Sequence, residues 1–196
     1  MDLNGKCVVI TGVSRGIGNA LVHQFLAKGC MVGGMGLNDP KIAHQNFSFY
    51  KTDIRKSENV QTSFNSYLKK TDNQIDILIN NAGVGYFGKI EDYTDDQIAQ
   101  MFEANVYGTL YTCREAVPMM KAQETGHIIN IASTAALEGY PEVSVYCATK
   151  HAVKAISESM YKELRDFAVK VTCVYPGSVK TDFFRNIESI EPHDYM

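Results

Sequence analysis

A tyrosine and a lysine stand four residues apart in the second half of the chain, at Tyr146 and Lys150. The surrounding stretch has helical periodicity, so the phenol and the ammonium lie on the same helix face, one turn apart. A cation beside a phenol lowers the pKa of that phenol from its usual value of about 10 and makes it usable as an acid and a base. The chain contains 11 tyrosines, so the spacing alone is equally typical of an exposed amphipathic helix.

A second motif with chemical meaning is glycine-rich and lies near the N-terminus, where residues 11–18 are TGVSRGIG. It follows a short β-branched run and precedes a helical pattern, a place where backbone N–H groups and the helix dipole converge on an anion. Gly12 allows the tight turn, Gly16 lets a pyrophosphate approach the backbone, and Gly18 permits close helix–strand packing. The motif predicts a dinucleotide site; a glycine-rich turn without a ligand is the alternative.

The elements that must position these groups alternate between strands and helices. Short apolar runs predict six strands, at 7–11, 30–34, 46–52, 75–80, 127–132 and 170–175. Helical periodicity predicts helices at 14–28, 57–70, 95–121 and 144–167. This alternation implies an α/β fold, a Rossmann-type doubly wound parallel sheet with helices on both faces and a crevice at the carboxyl ends of the strands. Ser133 follows the fifth strand and therefore faces that crevice.

The amino-acid composition argues against several classes of protein, namely those that bind nucleic acid, membranes or metals. The 196 residues carry a net charge of −3, and 45% of them are hydrophobic, as in an ordinary globular domain. Without a basic cluster or a long apolar run we expect no nucleic-acid partner and no membrane partner. Five cysteines without a CxxC pair indicate neither a disulfide framework nor a metal site. These features, with a polar N-terminus, predict a cytoplasmic protein.

Taken together, the motifs resemble the short-chain dehydrogenase/reductase family. The resemblance spans residues 3 to 181, and within the family the layout is similar to β-ketoacyl-carrier-protein reductases and related carbonyl reductases. It rests on TGxxxGIG at 11–18, Asn80-Asn81-Ala82-Gly83 after the fourth strand, Asn105, Ser133, YxxxK at 146–150, and Pro176-Gly177.

The resemblance implies a role for each catalytic residue. Tyr146 is the general acid in carbonyl reduction and the base in alcohol oxidation. Lys150 and the positive nicotinamide of the oxidised cofactor both lower the pKa of Tyr146. Lys150 also holds the nicotinamide ribose, while Ser133 orients the substrate oxygen. Asn105 resembles the asparagine that holds a water connecting the lysine to solvent. Taken singly, Ser133 and Asn105 are also explained as a strand-end hydroxyl and a helix-bending amide.

The resemblance also implies the cofactor contacts. Asp53, followed by Ile54, accepts from the adenine amino group; a surface turn carboxylate is the alternative. The other residues expected to contact the dinucleotide are Gly12, Ser14, Arg15, Gly16, Ile17, Gly18, Asn81, Ala82, Gly83, Tyr146, Lys150, Pro176, Gly177, Val179 and Thr181.

Cofactor choice depends on charge at the end of the second strand. Family members specific for NAD place a carboxylate there, whereas this chain has Gly36, followed by Leu37 and Asn38. Arg15 in the glycine loop is expected to pair with the 2′-phosphate of NADP. We therefore expect NADP(H) to be preferred, with NAD(H) as the alternative, because a loop rearrangement would bring Asp39 to the ribose.

Residues 1–181 are expected to form the dinucleotide-binding catalytic domain, and residues 182–196 the start of a substrate lid that includes Phe183, Phe184 and Ile187. Family members continue past this point with the rest of the lid and a seventh edge strand, so the sequence is interpreted as truncated; a protein that lacks the rest of the lid and the seventh strand is the alternative. The resemblance further implies that the long helices at 95–121 and 144–167 pair across a two-fold axis, so a homodimer or homotetramer is expected.

The leading expectation is an enzyme that transfers a hydride between NADP(H) and a carbonyl or secondary alcohol substrate. A dinucleotide-binding protein without turnover, with a regulatory or scaffold role, is the alternative. A structural domain that binds no nucleotide explains the glycine loop least well.

Overall fold

Six parallel strands form one sheet in the computed structural model, which describes residues 2–181 and Phe183. The strand order across the sheet is β3-β2-β1-β4-β5-β6. The strands are β1 (Cys7–Thr11), β2 (Met31–Gly36), β3 (Phe47–Lys51), β4 (Ile77–Asn80), β5 (Gly126–Ile131) and β6 (Val169–Val174).

Five helices flank this sheet: α1 (Gly16–Ala27), α2 (Ser57–Leu68), α3 (Asp95–Phe102), α4 (Gly108–Ala122) and α5 (Ser144–Leu164). The strand order reverses between β1 and β4, and in open parallel sheets ligands bind in the crevice at such a switch point. The fold is therefore the Rossmann-type doubly wound α/β sheet that the sequence predicts.

Alternate side chains of strand β1 pack into two hydrophobic clusters, one on each face of the sheet. Val8 and Ile10 of β1 belong to one core cluster, together with Val22 of α1. Val9, between them, belongs to a second cluster with Phe64 of α2. Because every residue of β1 is buried, the short β-branched run is a strand covered on both faces, as its composition indicates.

One predicted helix differs from the structure in its middle. The periodic stretch 95–121 is not a continuous α-helix, because Glu103–Tyr107 forms a π-helical segment between α3 and α4. Such segments are often found at functional sites, and this one carries Asn105. The other elements match their predicted positions to within about two residues at most ends, the ordinary uncertainty of element ends.

Within the described residues, no helix combines the length and apolarity that a membrane-spanning segment needs. The same residues contain no cluster of three or more His, Cys, Asp or Glu side chains suited to holding a metal ion.

Candidate active site

The glycine loop connects β1 to α1 in a conformation that requires glycine at two positions. Gly12 and Gly16 have φ values of +73° and +57°, in the left-handed region that disfavours other residues. A Cβ atom on Gly12 would also lie 2.7 Å from the Cα atom of Ala82, so the loop packs directly against the segment after β4. The side-chain amide of Asn81 holds this contact by donating to the carbonyl oxygens of Thr11, at 3.0 Å, and Gly12, at 3.1 Å.

The same loop opens α1 toward an anion. No side chain caps the N-terminus of α1, where Arg15 is the capping position. The first N–H groups of an uncapped helix lack intrahelical partners and, with the helix dipole, favour a negatively charged group. Gly18 contributes through its small size, because a Cβ atom there would collide with the carbonyl oxygen of Gly12. The first turn of α1 can therefore pack against the loop itself.

A cavity of about 860 Å³ runs along the carboxyl ends of the strands, a volume within the range for cofactor sites, about 300–1,000 Å³. It is lined by every site residue predicted from the sequence except Gly18 and Asn105. The predicted residues that line it are Gly12, Ser14, Arg15, Gly16, Ile17, Asp53, Ile54, Asn81, Ala82, Gly83, Ser133, Tyr146, Lys150, Pro176, Gly177, Val179 and Thr181.

One end of this cavity contains Ser133, Tyr146 and Lys150. Ser133 follows β5, while Tyr146 and Lys150 lie on α5 and are 9% and 5% exposed. The Nζ atom of Lys150 donates to the backbone oxygen of Ile131 at 3.0 Å and lies 5.6 Å from the centre of the Tyr146 ring. The hydroxyl of Ser133 accepts from the N–H of Ala135 at 3.2 Å, which fixes the side chain at the end of its strand.

Burial shifts the pKa values of both α5 groups. Desolvation raises the pKa of Tyr146 to about 12, against a smaller lowering by a hydrogen bond to Ser133. Desolvation also lowers the pKa of Lys150 to about 8, and the nearby Cys173 opposes that change. Among the protein's own groups, the loss of water around the phenol outweighs the hydrogen bond to Ser133, and the lowering of the pKa expected from Lys150 together with the oxidised nicotinamide stays a prediction.

Asn105 links three segments around this end of the cavity. Its Oδ1 atom accepts from the N–H of Val84 at 2.8 Å, and its Nδ2 atom donates to the carbonyl oxygen of Val84 at 2.9 Å. Nδ2 also donates to Oγ1 of Thr149 at 3.0 Å, and that hydroxyl donates to the carbonyl oxygen of Tyr146 at 2.8 Å. The amide thus joins the π-helical segment to the loop after β4 and to α5; its expected contact with a water stays a prediction.

The other end of the cavity is charged. Arg55 holds the Asp53 carboxylate with its Nε atom 2.9 Å from Oδ1 and its Nη2 atom 2.8 Å from Oδ2. The hydrogen bond from Arg55 holds the pKa of Asp53 below its usual value. Gly36, Leu37 and Asn38 line the cavity beside this pair.

Asp39, the alternative ligand for the adenine ribose, makes other contacts. Its Oδ1 atom accepts from the N–H of Lys41 at 2.8 Å, and its Oδ2 atom lies 3.5 Å from the Lys41 ammonium. The carboxylate therefore faces the loop that follows it.

The segment after β6 closes the groove above the glycine loop. The carbonyl oxygen of Pro176 accepts from the N–H of Thr134 at 3.0 Å, which ties the segment to the turn after Ser133. Thr181 then covers Gly16: a Cβ atom on that glycine would lie 3.3 Å from the Thr181 Cβ. A residue larger than glycine at position 16 would crowd this contact. Of the lid expected at 182–196, residue 182 and residues 184–196, which include Phe184 and Ile187, lie outside the described part of the chain.

Several residues at the cavity or its supports were missed by the sequence analysis, among them Arg55, Val84, Gln100 and Thr149. Arg55 had a local signal, an opposite charge two residues from Asp53. Thr149 lies within the YxxxK motif, but its contact with Asn105 joins residues 44 apart. Such pairings depend on the tertiary fold.

Comparison with known proteins agrees with this geometry. Residues 6–192 match the short chain dehydrogenase family. An uncharacterized oxidoreductase of Staphylococcus aureus is 37% identical over 186 residues, covering 91% of this chain and 80% of that protein.

Solved structures of dinucleotide-binding proteins also resemble this chain. ElxO with NADP bound superposes with a TM-score of 0.87 at 29% identity, over 93% of this chain and 77% of that chain. The 3-ketoacyl-(acyl-carrier-protein) reductase of Brucella melitensis, complexed with NADH, superposes with a TM-score of 0.91 at 25% identity, over 95% of this chain and 81% of that chain. NADP and NADH both occur among these neighbours, and the chain itself belongs to the short-chain dehydrogenase/reductase family of oxidoreductases.

Proposed function

We propose that this protein is an NADP(H)-dependent enzyme that interconverts a carbonyl compound and the corresponding alcohol. The observation that carries the proposal is the meeting of Ser133, Tyr146 and Lys150 at one end of a cavity whose other walls include the glycine loop. A protein that only binds dinucleotides has no chemical need for a buried phenol beside a buried ammonium.

A dinucleotide would lie along the length of the cavity. The left-handed turns at Gly12 and Gly16, with the uncapped N-terminus of α1, would hold the pyrophosphate. Asp53 and Ile54 would contact the adenine, and Asn81, Ala82 and Gly83 its ribose. Pro176, Gly177, Val179 and Thr181 would hold the nicotinamide end. When bound, the cofactor supplies or accepts the hydride.

The roles of the protein groups follow from their positions. Ser133 would donate a hydrogen bond to the substrate oxygen, and Tyr146 would give its phenolic proton to that oxygen as the carbonyl is reduced. Lys150 would bind the ribose hydroxyls and, as an ammonium, stabilise the phenolate left behind. Asn105 would act as a positioning residue, because its amide holds the backbone of Val84 and the hydroxyl of Thr149.

The charges at the cavity favour NADP(H) over NAD(H). Arg15 is exposed at the cavity and, among the described residues, forms no ion pair, so its guanidinium is available to a 2′-phosphate. No carboxylate stands at the end of β2, and the Asp53 charge is neutralised by Arg55. Repulsion of a phosphate at this end of the cavity is therefore small.

The proposal also covers the extent of the catalytic domain, the cellular compartment and the assembly of the protein. Residues 1–181 would form the catalytic domain, and the five free thiols suit a reducing compartment such as the cytoplasm. A homodimer or homotetramer would bury the exposed apolar side chains of the α4 and α5 region, among them Tyr107, Leu110 and Tyr161.

Two measurements on the same protein test this function. Equilibrium binding of NADPH is measured by fluorescence, and NADPH oxidation is then followed with a panel of aldehydes, ketones, quinones, sugars and acyl thioesters. The proposal predicts binding and turnover of at least one class. Binding without consumption across the whole panel would instead support a regulatory or scaffold protein.

A further inference from the structure

A glycine separates two aromatic rings at the catalytic end of the cavity. A Cβ atom on Gly85 would lie 3.2 Å from Cε1 of Phe183 and 3.3 Å from Cδ2 of Tyr146, closer than most real Cβ contacts. The centres of the two rings are 6.1 Å apart at an interplanar angle of 55°. Because position 85 has no side chain, the Phe183 ring can lie against the catalytic tyrosine.

The wall formed in this way is apolar. Val84, Tyr146 and Phe183 line the cavity here and pack in one hydrophobic cluster. If the carbonyl group of a substrate binds at the Tyr146 hydroxyl, a substituent on the carbonyl carbon would therefore contact the aromatic ring of Phe183. Flat apolar groups gain from such contacts through area burial and ring–ring packing.

Charge at this end of the cavity disfavours an anionic substrate. The charged pair Asp53–Arg55 follows β3, four strand spacings from β5, or roughly 19 Å from Ser133 across the sheet. Lys150 is buried and donates to the backbone of Ile131. The loop 137–142 before α5 carries two glutamates and no lysine or arginine. Among the described residues that line the cavity, the remaining cation is Arg15, which lies in the glycine loop and is assigned to the cofactor. A carboxylate or phosphate on the substrate would therefore find no accessible cation among the described lining residues beside Ser133 and Phe183.

We propose that Gly85 and Phe183 together select the substrate: an uncharged carbonyl compound whose flat, ring-bearing substituent packs against Phe183. This inference rests on the proposed carbonyl reduction and adds a substrate class to it. Phe183 is a specificity-determining residue here, and Gly85 is the position that makes room for its ring.

The chain offers a matched control for Gly85. Gly88 lies in the same loop, and a Cβ atom there would meet only the Cβ of Asp92, at an ordinary 3.9 Å. Gly85→Ala must displace a ring, whereas Gly88→Ala adds the same methyl group into space. NADPH affinity and the thermal melting temperature of each variant report on folding, independently of turnover.

Three aldehydes serve as probes with saturating NADPH: benzaldehyde, 4-carboxybenzaldehyde and acetaldehyde. For the unaltered protein we expect kcat/KM for benzaldehyde to exceed that for 4-carboxybenzaldehyde by about tenfold or more, a usual size for a pocket preference. Phe183→Ala should lower the ratio of benzaldehyde to acetaldehyde by about tenfold, mainly through KM, because only the ring-bearing probe loses its contact. Gly85→Ala should lower that ratio as well, and Gly88→Ala should leave it unchanged.

The outcomes separate the two claims. Equal or better turnover of 4-carboxybenzaldehyde, or equal losses for benzaldehyde and acetaldehyde in Phe183→Ala, would overturn this inference and leave carbonyl reduction standing. Equal ratios for Gly85→Ala and Gly88→Ala would overturn the role of Gly85. No NADPH oxidation by the unaltered protein with any carbonyl compound would overturn the proposed function, and the substrate class with it.

Discussion

Tyr146 and Lys150 titrate in the opposite order to free tyrosine and lysine. Burial raises the pKa of the phenol to about 12 and lowers that of the ammonium to about 8. Raising the pH from 7 therefore removes the proton of Lys150 first, while Tyr146 keeps the proton that carbonyl reduction needs. The pH dependence of reduction should report on the lysine.

We expect kcat/KM for carbonyl reduction to be constant below a pH of about 8 and to fall above it, since the ammonium is lost as pH rises through that pKa. Lys150→Arg keeps a positive charge at all these pH values, because a guanidinium does not titrate in this range. Its residual activity should therefore show no fall near pH 8. The same descending limb in both proteins would exclude Lys150 as its source.

The second prediction at the scale of single residues concerns Arg15 and the choice between NADPH and NADH. Arg15→Ala should weaken NADPH binding by about 1–3 kcal/mol, since a guanidinium–phosphate pair is lost, and leave NADH binding unchanged. Dissociation constants for both cofactors, measured by fluorescence, check this. Arg114→Ala, which removes an exposed cation from α4, is the control. Equal losses for the two cofactors would contradict the assignment.

At the scale of elements, the π-helical segment is the feature that the sequence could not predict. Strands and helices follow from local periodicity, and the glycine loop follows from the turn it must make, so both were predictable. The π-helical segment instead carries Asn105, whose amide contacts the backbone of Val84, 21 residues away, and a contact so distant in the sequence leaves no local signal. The Asp53–Arg55 pair is similar, because its geometry depends on the conformation of the turn after β3.

Thr149 tests how this segment is held. Thr149→Val keeps the shape but removes the hydroxyl that accepts from Asn105 and donates to Tyr146, in a fully buried position. We expect the free energy of unfolding to fall by about 1–3 kcal/mol, because buried polar groups lose a partner. Urea denaturation measures it.

Thr62→Val is the matched control for that experiment. Thr62 also donates to a backbone oxygen four residues earlier, at 2.8 Å, but on the exposed face of α2, where water replaces the lost bond. A Thr149→Val protein as stable as the Thr62→Val protein would show that the contact with Asn105 contributes little.

At the scale of the whole molecule, the strand order sets the length and polarity of the cavity. The Asp53–Arg55 pair lies after β3 near one edge of the sheet, and Ser133 lies after β5 near the other. The glycine loop after β1 lies between them. In the proposed function, a dinucleotide would therefore place its adenosine part at the charged end of the cavity and its nicotinamide at the end that contains Ser133.

Assembly is the prediction at this scale. Leu110 on α4 and Tyr161 on α5 are 41% and 56% exposed, and burying such side chains favours association of two copies. We expect light scattering to show a dimer or tetramer, and Leu110→Lys to shift it toward monomer. Ile90→Lys, at an exposed apolar position in the short 3₁₀ helix Ile90–Asp92 between β4 and α3, should not. A monomeric unaltered protein would contradict this prediction.

The central claim, that Tyr146 is the proton donor of a carbonyl reductase, is tested most directly by Tyr146→Phe. With a carbonyl compound that the unaltered protein reduces, kcat should fall by about 10² or more, because only the phenolic proton is lost. The NADPH dissociation constant should stay within a few-fold, and Tyr161→Phe, an exposed tyrosine on the same helix, should keep full activity. A Tyr146→Phe protein that retained most of its kcat would contradict the account.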